Sequence, residues 1–483
     1  MKVLFLNPPF LGKFSRSQRS PAITKSGTLY YPVWLSYAAG VMEKAGFEVK
    51  LIDAVAAVLT PKMVFRKAVE FDPRLIVIDT STPSIYNDIK IGAALKDKLP
   101  ASFIVVVGTH VSALPDETLR LNENIDAVAK GEYDYTLCDL AAALEKNGDL
   151  KNVLGISYRY DKDIISNPLR PKIDNLDEVP FVTGVYKKHL NIKDYFFAAS
   201  NYPQVQLFTG RGCPFQCFFC VYPQIMHGHT YRVRSAQNVV DEFKFIRESL
   251  PYVKEIVIED DTFTIDTGRV KQICQLLLKE NKIVTWNANV RANLDLDTMQ
   301  MMKAAGCRLI IVGFESADQT VLDNIQKGIQ VGHMEKFFQN AKKAKLMVHA
   351  AFMAGNPGET RQTLEKTLQF SMRMLPDTVQ FFPLMVYPGT KAYAWALKHK
   401  FLKTTNYGHW LTQDGLHNCF IDSGDLKAQD LVDWCDQSRR RYYLNPRYLL
   451  YKTKQMLLHP EEARRTFRAA LQFRKYILRG IFK

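Results

Sequence analysis

The chain has 483 residues, 47% of them hydrophobic and 23% charged. That is the balance of a globular protein of two or three domains, and it excludes a disordered or collagen-like chain. The net charge of +15 is uneven, because Gln437 to Lys483 holds thirteen Lys or Arg against two Asp or Glu; the body is near neutral, the tail is basic, and no DNA partner is expected.

No stretch approaches the ~20 apolar residues of a membrane-spanning helix. The apolar start MKVLFL stops at Asn7-Pro8-Pro9, shorter than the core of a secretory leader, so a cytoplasmic protein is expected. Residues 1–150 alternate short apolar strands (KVLFLN, VKLIDA, LIVIDT, FIVVVG, DAVAKG) with helical stretches such as LSYAAGVMEKAGF. This pattern predicts an α/β fold with a doubly wound parallel sheet. Ligands of such sheets sit at the carboxyl ends of strands. The candidate loops are Asn7-Pro8-Pro9, Asp79-Thr80-Ser81-Thr82, Gly108-Thr109-His110 and Gly131-Glu132. No Gly-x-Gly-x-x-Gly follows the first strand, so a nicotinamide dinucleotide is not expected.

Residues 151–200 are expected to form a connector with a hairpin around Asp161 to Asp163. Residues 201–395 carry six further strand–helix units, with strands VQLFTG, EIVIED, IVTWNAN, LIIVGFE, VHAAFMAG and TVQFFPL. Six such units predict a partial (β/α)6 barrel with its chemistry at the strand ends. Residues 396–483 are expected to be helical, ending in the basic tail.

Three of the eight cysteines crowd into GRGCPFQCFFC, as Cys213, Cys217 and Cys220. The loop falls just after the first barrel strand. Three thiolates at this spacing can hold three irons of a cubane cluster and leave the fourth open to a small molecule. Zinc is the alternative, with His227 or His229 as the closing ligand. Three merely buried cysteines remain the plain structural reading.

The cysteine loop resembles the signature of the radical S-adenosylmethionine enzymes. The resemblance implies a [4Fe–4S] cluster and S-adenosylmethionine, cleaved reductively to a 5′-deoxyadenosyl radical. It runs over residues 200–395 through motifs in family order. Phe219 matches the aromatic position against the adenine. Glu259, Asp260 and Asp261 match the acidic motif near the methionine amino group. Asn289 and Arg291 end the third strand, with Arg291 placed for the methionine carboxylate. Glu315 and Ser316 match the Gly-x-Glu-Ser motif, and Gly355 opens the Gly-x-Pro-Gly-Glu-Thr turn. Pro388-Gly389-Thr390 matches the Pro-Gly-Thr that closes the barrel.

The N-terminal sheet resembles that of the cobalamin-binding subclass, most closely the hopanoid-biosynthesis proteins and the magnesium-protoporphyrin monomethyl ester cyclase group. Tyr31-Pro32-Val33-Trp34-Leu35, PFVTGVYKKHLNIKDY and GHTYRVRS carry that likeness. It implies cobalamin against Asn7, Pro8, Pro9, Thr80, Ser81, Thr82, Gly108, Thr109, His110, Gly131 and Glu132. Gly108 stands where the mutase-type motif needs Asp, so no histidine is expected on cobalt. A sheet that binds nothing is the alternative.

The implied function is C-methylation of an unactivated carbon on a bulky apolar substrate, lipid or tetrapyrrole-like, with an external reductant of flavodoxin or ferredoxin type. Alternatives are radical oxidation, cyclisation or rearrangement without net methylation, an RNA-modifying radical enzyme, and a non-enzymatic cofactor carrier. The tail reads either as an amphipathic segment on an anionic membrane surface, as an RNA contact, or as a packed helix with a solvated basic face.

Overall fold

The computed structural model describes residues 1–478; of the basic tail, residues 479–483 lie outside the described residues. The first sheet is built from β1 (Lys2–Asn7), β4 (Glu48–Asp53), β5 (Leu75–Thr80), β6 (Phe103–Gly108), β7 (Ala127–Ala129), β8 (Ile156–Tyr160) and β9 (Asp163–Ser166). Two-residue strands β2 (Phe14–Ser15) and β3 (Ala22–Ile23) pair with each other in the long excursion after β1.

Strand order is β4-β1-β5-β6-β7-β8-β9. Pairing is parallel up to β7 and antiparallel beyond it. The five expected strands form, and every residue of LIVIDT is buried, as a sheet covered on both faces requires. The hairpin at Asp161 to Asp163 also forms, but it adds two strands to this sheet rather than standing in a connector. The chain passes from β1 to β4 on one side and to β5 on the other. The topological switch point is therefore the crevice beside Asn7 and Thr80.

The second sheet holds β10 (Gln204–Leu207), β13 (Glu255–Ile258), β14 (Trp286–Val290), β15 (Cys307–Glu315), β16 (Met347–Ala354) and β17 (Thr378–Pro383), all parallel and in that order. A small ribbon, β11 (Gly210–Arg211) with β12 (Arg232–Val233), brackets the cysteine loop. The six expected strands are present, with IVTWNAN becoming regular only from Trp286. Several helices start on a side-chain cap: Ser235, Asp266, Asp295, Asp318 and Thr360 each accept a first-turn N–H.

The two sheets share one apolar core. Trp34 lies 4.2 Å from Phe208 and 4.3 Å from His227, ring to ring. Tyr31 stacks on Tyr195 at 3.8 Å and on Tyr186 at 4.2 Å. Arg211 reaches across to both carboxylate oxygens of Asp134, at 2.8 and 3.1 Å.

The C-terminal helices Ala428–Tyr443, Pro446–Leu458 and Pro460–Leu478 pack across the strand-start end of the barrel. Tyr443 donates to Val379 O at 2.8 Å and Tyr448 donates to Asp377 O at 3.1 Å, which ties them to the beginning of β17. Among the described residues no helix is long and apolar enough to cross a membrane.

Candidate functional site

Cys213, Cys217 and Cys220 lie on one irregular loop and line one cavity. Gly212 sets the loop's entry. Its φ is +85°, and a Cβ there would stand 2.2 Å from Thr230 O, so only glycine fits. Gln224 pins the loop from beneath, its amide donating to the carbonyls of Phe218 at 3.1 Å and Cys220 at 2.8 Å. The backbone of Phe218 bonds to Ile325 and to Ala392, which fastens the loop to the barrel wall. Burial pushes the thiols of Cys213 and Cys220 up, and the charges of Asp261 and Cys217 add to it.

The two histidines expected as zinc ligands point elsewhere. His227 pairs with Glu132 at 3.2 Å, and His229 meets Cys213 O at 3.0 Å. Among the described residues no three His, Cys, Asp or Glu side chains close on a single metal ion. Three cysteines of one loop that line one cavity suit a cluster in which each iron takes its own thiolate.

Around this loop the strand ends supply polar groups. Glu259 accepts from Asn289 Nδ2 at 3.0 Å and from Arg19 at 3.2 Å. Arg19 also donates to the Glu259 and Asp260 carbonyls at 2.8 and 2.9 Å and lies 3.6 Å from Asp261. Buried Asp261 Oδ1 receives no hydrogen bond. Arg291 lies 3.4 Å over the Phe215 ring, and burial lowers its pKa. Glu315 adopts a left-handed backbone at φ +65° and pairs with Lys327 at 2.7 Å, leaving its second oxygen buried and unpartnered. Gly313 makes this possible, since a Cβ there would lie 2.3 Å from the Glu315 carboxylate. Lys327 sits 5.8 Å over the ring of Phe219.

Three expected contacts face away from the cavity. Asp260 is fully buried and accepts from Thr209 N and Oγ1, both at 2.6 Å; burial raises its pKa to about 6. Ser316 accepts from Asp318 N at 3.2 Å on the outer side of β15. Gly355 turns toward Leu431, its N–H held by Glu359 at 2.5 Å. All three build the frame and do not reach the cavity. Arg19 and Lys327 line the same cavity and Gln224 props the cysteine loop, and the sequence motifs did not single them out. The run SRSQRS before Pro21 was the available hint for Arg19.

The cavity, of about 730 Å³, continues through the barrel. Strand β15 lends it Ile311, Gly313 and Glu315, and β16 lends His349, Ala351 and Met353. These are alternate, inward positions spanning roughly 13 Å at 3.3 Å per residue. Barrels are usually filled by bulky side chains; Gly313 and Ala351 leave this bore open. His349 bonds Thr378 at 2.7 Å, and burial lowers its pKa to about 4, so it is neutral. The bore reaches the C-terminal helices, where Tyr443, Leu449, Met456 and Phe473 line it.

The strand-end shelf of the first sheet is closed. Asn7, Pro8, Pro9, Thr80, Ser81, Thr82, Gly108, His110, Gly131 and Glu132 are buried, and Thr109 is half-buried. None of them lines the cavity. Arg16, carried on the β2–β3 excursion, lies in the switch-point crevice and donates to Asn7 Oδ1 at 2.7 Å and Pro8 O at 2.9 Å. His110 bonds Thr82 at 3.2 Å under the ring of Tyr407 at 4.8 Å, and burial lowers its pKa to about 3. Lys172 covers Gly131, and Glu132 is taken by Arg232 and His227. Gly389 of the barrel turn packs on Ala113, just beyond the shelf, where a Cβ would come within 2.9 Å.

A six-stranded parallel barrel with a three-cysteine loop at its strand ends, set behind a doubly wound sheet, defines the class of radical enzymes built on S-adenosylmethionine. The chain matches the Radical SAM superfamily over residues 207–371 and the B12 binding domain over residues 19–141. It is 32% identical to an uncharacterized methyltransferase of Pyrococcus horikoshii across 93% of this chain and 94% of that one. It is 26% identical to the anaerobic magnesium-protoporphyrin IX monomethyl ester cyclase of Rubrivivax gelatinosus, across 78% of this chain and 66% of that one. Its fold is that of the radical S-adenosylmethionine methyltransferase TsrM from Kitasatospora setae, with TM-score 0.69, 17% identity and coverage of 91% and 90%. The chain belongs to the radical SAM superfamily, in its cobalamin-dependent methyltransferase and cyclase branch. Its cofactors are those of the two domains: a [4Fe–4S] cluster, S-adenosylmethionine and cobalamin.

The residues present fit the first two of these groups. Free sulfurs, an unpartnered carboxylate oxygen on Glu315, an Asp261 oxygen without a hydrogen bond and 3.6 Å from Arg19, and an open cavity meet at one place. Over the shelf, Arg16 bonds Asn7, Tyr407 stands against His110 and Lys172 lies over Gly131, so a corrin would fit there only once these side chains move aside.

Proposed function

We propose that this chain uses an adenosyl radical to C-methylate an unactivated carbon on an elongated, bulky apolar substrate held in the barrel bore. The supporting observation is the single cavity that joins the cysteine loop to the apolar bore beneath it. When bound, cluster and S-adenosylmethionine would supply the hydrogen-abstracting radical, with an electron from an external reductant, and a second S-adenosylmethionine would be the source of the methyl group, leaving as S-adenosylhomocysteine.

The chain's residues would hold and orient. Cys213, Cys217 and Cys220 would bind three irons. Glu259 and Asp261 would take the ammonium of the methionine moiety by charge-assisted hydrogen bonds, displacing part of the Arg19 contact. Arg291 would face its carboxylate, Glu315 the ribose, and Phe219 the adenine. The bore, lined by Ile311, Ala351 and Met353, would exclude water from the reacting carbon.

A second reading is favoured by the closed shelf: oxidation, cyclisation or rearrangement on such a substrate without net methylation. The relative named for a magnesium-protoporphyrin ester cyclase supports both readings for a bulky, largely apolar molecule. Contact of the basic tail with a membrane surface belongs to the same reading, since such substrates partition into lipid.

The test is anaerobic. The protein is expressed with cobalamin supplied, reconstituted with iron and sulfide, and assayed for iron and cobalamin per chain. Lipid and tetrapyrrole extracts are then screened for 5′-deoxyadenosine and S-adenosylhomocysteine. Both products together support methylation. 5′-Deoxyadenosine alone supports the second reading, and neither product in any extract rejects the apolar substrate.

A further inference from the structure

The helices Pro446–Leu458 and Pro460–Leu478 form a hairpin whose inner side packs on the barrel through buried Tyr448, Lys452, Glu462 and Arg465. Its outer side is unusually apolar for a solvated surface. Leu450 is 75% exposed, Leu457 80%, Leu458 63% and Phe467 67%. Scattered exposed apolar side chains need no explanation, but three leucines and a phenylalanine on one hairpin, with half-exposed Leu449 and Leu471 beside them, make a patch.

Cations are interleaved with them. Arg447, Lys454, Arg464 and Arg474 are exposed, and none forms an ion pair among the described residues. Glu461 is the one exposed acid on the hairpin. Apolar side chains mixed with unpaired cations on a face turned to solvent are the signature of an interfacial helix pair on anionic lipid. A second copy of the same face would set cation against cation, which disfavours self-association.

The position of the patch adds an independent point. The barrel cavity reaches the hairpin and is lined there by Leu449, Thr453, Met456, Ala470 and Phe473. Leu449 is 48% exposed and is followed directly by Leu450, so the cavity's mouth borders the apolar patch. Three inward positions of β15 and three of β16 connect that mouth to the cysteine loop.

We propose that the outer face of this hairpin docks on an anionic lipid bilayer, setting the cavity mouth against the membrane, so that an apolar substrate enters the barrel from its strand-start end. The entry route rests on the apolar-substrate reading above; the docking does not. Docking brings Leu450, Leu457, Leu458 and Phe467 among the acyl chains while Arg447, Lys454 and Arg464 meet the phosphates. The substrate would then reach the radical without crossing water.

The experiment is co-sedimentation of the reconstituted full chain with vesicles of phosphatidylcholine containing about one third phosphatidylglycerol, against phosphatidylcholine alone. Binding to the anionic vesicles is expected, at least about tenfold weaker for the triple variant Leu457→Ser, Leu458→Ser, Phe467→Ser, and weakened by salt. These side chains are exposed, so the variant should keep the wild-type melting temperature. The chain has five native tryptophans, so the test reads the fluorescence that Leu449→Trp adds at the mouth over the wild-type signal, which should be quenched by brominated lipid. Tyr160→Trp, on the far sheet edge, should not.

No vesicle binding, equal binding of the triple variant, or quenching at both tryptophans overturns the proposal. So does a concentration-dependent dimer that the triple variant abolishes. Vesicle binding is read without turnover, and 5′-deoxyadenosine is read without vesicles, so the two readings fail separately.

Discussion

The guanidinium of Arg16 meets the carboxylate of Asp88 at 2.5 Å, with neither side chain exposed to solvent. The pair is bidentate, with a second contact at 3.0 Å, and Ser84 adds a 2.5 Å bond to the same carboxylate. Arg16 rides on the excursion between β1 and β4, while Asp88 lies on the helix that follows β5. The bond therefore latches that excursion across the switch-point crevice where a ligand of this fold would sit.

With Arg16 held against Asp88 and Asn7, cobalamin is expected to bind the shelf only in chains where this latch is open. The apparent affinity is then reduced by the fraction of chains that are open. Arg16→Ala is expected to raise the apparent affinity for hydroxocobalamin by about tenfold or more, read by absorbance titration. Equal titration curves for both proteins would show that the latch does not guard the shelf.

Glu259 already holds Asn289 and Arg19, and a bound ammonium would add a third donor. Loss of one charge-assisted bond is worth about 1.5–3 kcal/mol. Glu259→Gln should therefore weaken S-adenosylmethionine binding by roughly ten- to a hundredfold. Iron content should be unchanged, because the three cysteines are untouched. Calorimetry and iron assay on the same sample separate the two effects.

Ala351 leaves the middle of the bore open. Ala351→Phe should fill it with little change in iron content or in slow, substrate-free cleavage of S-adenosylmethionine. Substrate-dependent formation of 5′-deoxyadenosine should fall by at least about tenfold, the cost of a blocked or misplaced substrate. If substrate turnover is unaffected, the substrate does not use the bore.

Glu359 accepts from Gly355 N–H and Asn356 N–H, yet burial raises its pKa to about 8 from the usual 4.5. Its folded value lies above its unfolded one, so the stabilising contribution is full below the unfolded pKa and is lost as pH rises through about 8. The effect is on the order of a few kcal/mol at most. Glu359→Gln keeps an acceptor for both N–H groups and removes the titration. Melting temperatures taken from pH 5 to 9 should fall more steeply with pH for the wild type than for this variant.

Much of this architecture is local in origin. Apolar runs such as LIVIDT and LIIVGFE, separated by helices with good caps, specify parallel strands through periodicity alone. The cysteine loop is legible for the same reason: its three sulfurs lie within eight residues, so their meeting needs no distant contact. Phe219, Glu259, Asp261, Asn289, Arg291 and Glu315 line the cavity because strand ends of a parallel barrel all point to one side.

Other features depend on pairs far apart in the chain. Arg19 joins the acidic motif from 240 residues away, and Arg16 reaches Asp88 across 72. Asp260 and Ser316 look like site residues in sequence, yet strand alternation and the partners Thr209 and Thr367 turn them outward. The shelf residues sit at strand ends as periodicity requires. Whether they are open depends on where the β2–β3 excursion and Tyr407 pack. Sequence alone determined the two sheets and the cluster loop, because those follow from local patterning. Only the tertiary structure decided that the shelf is latched and the barrel is bored through to its C-terminal hairpin, because burial and charge pairing between distant segments settle both.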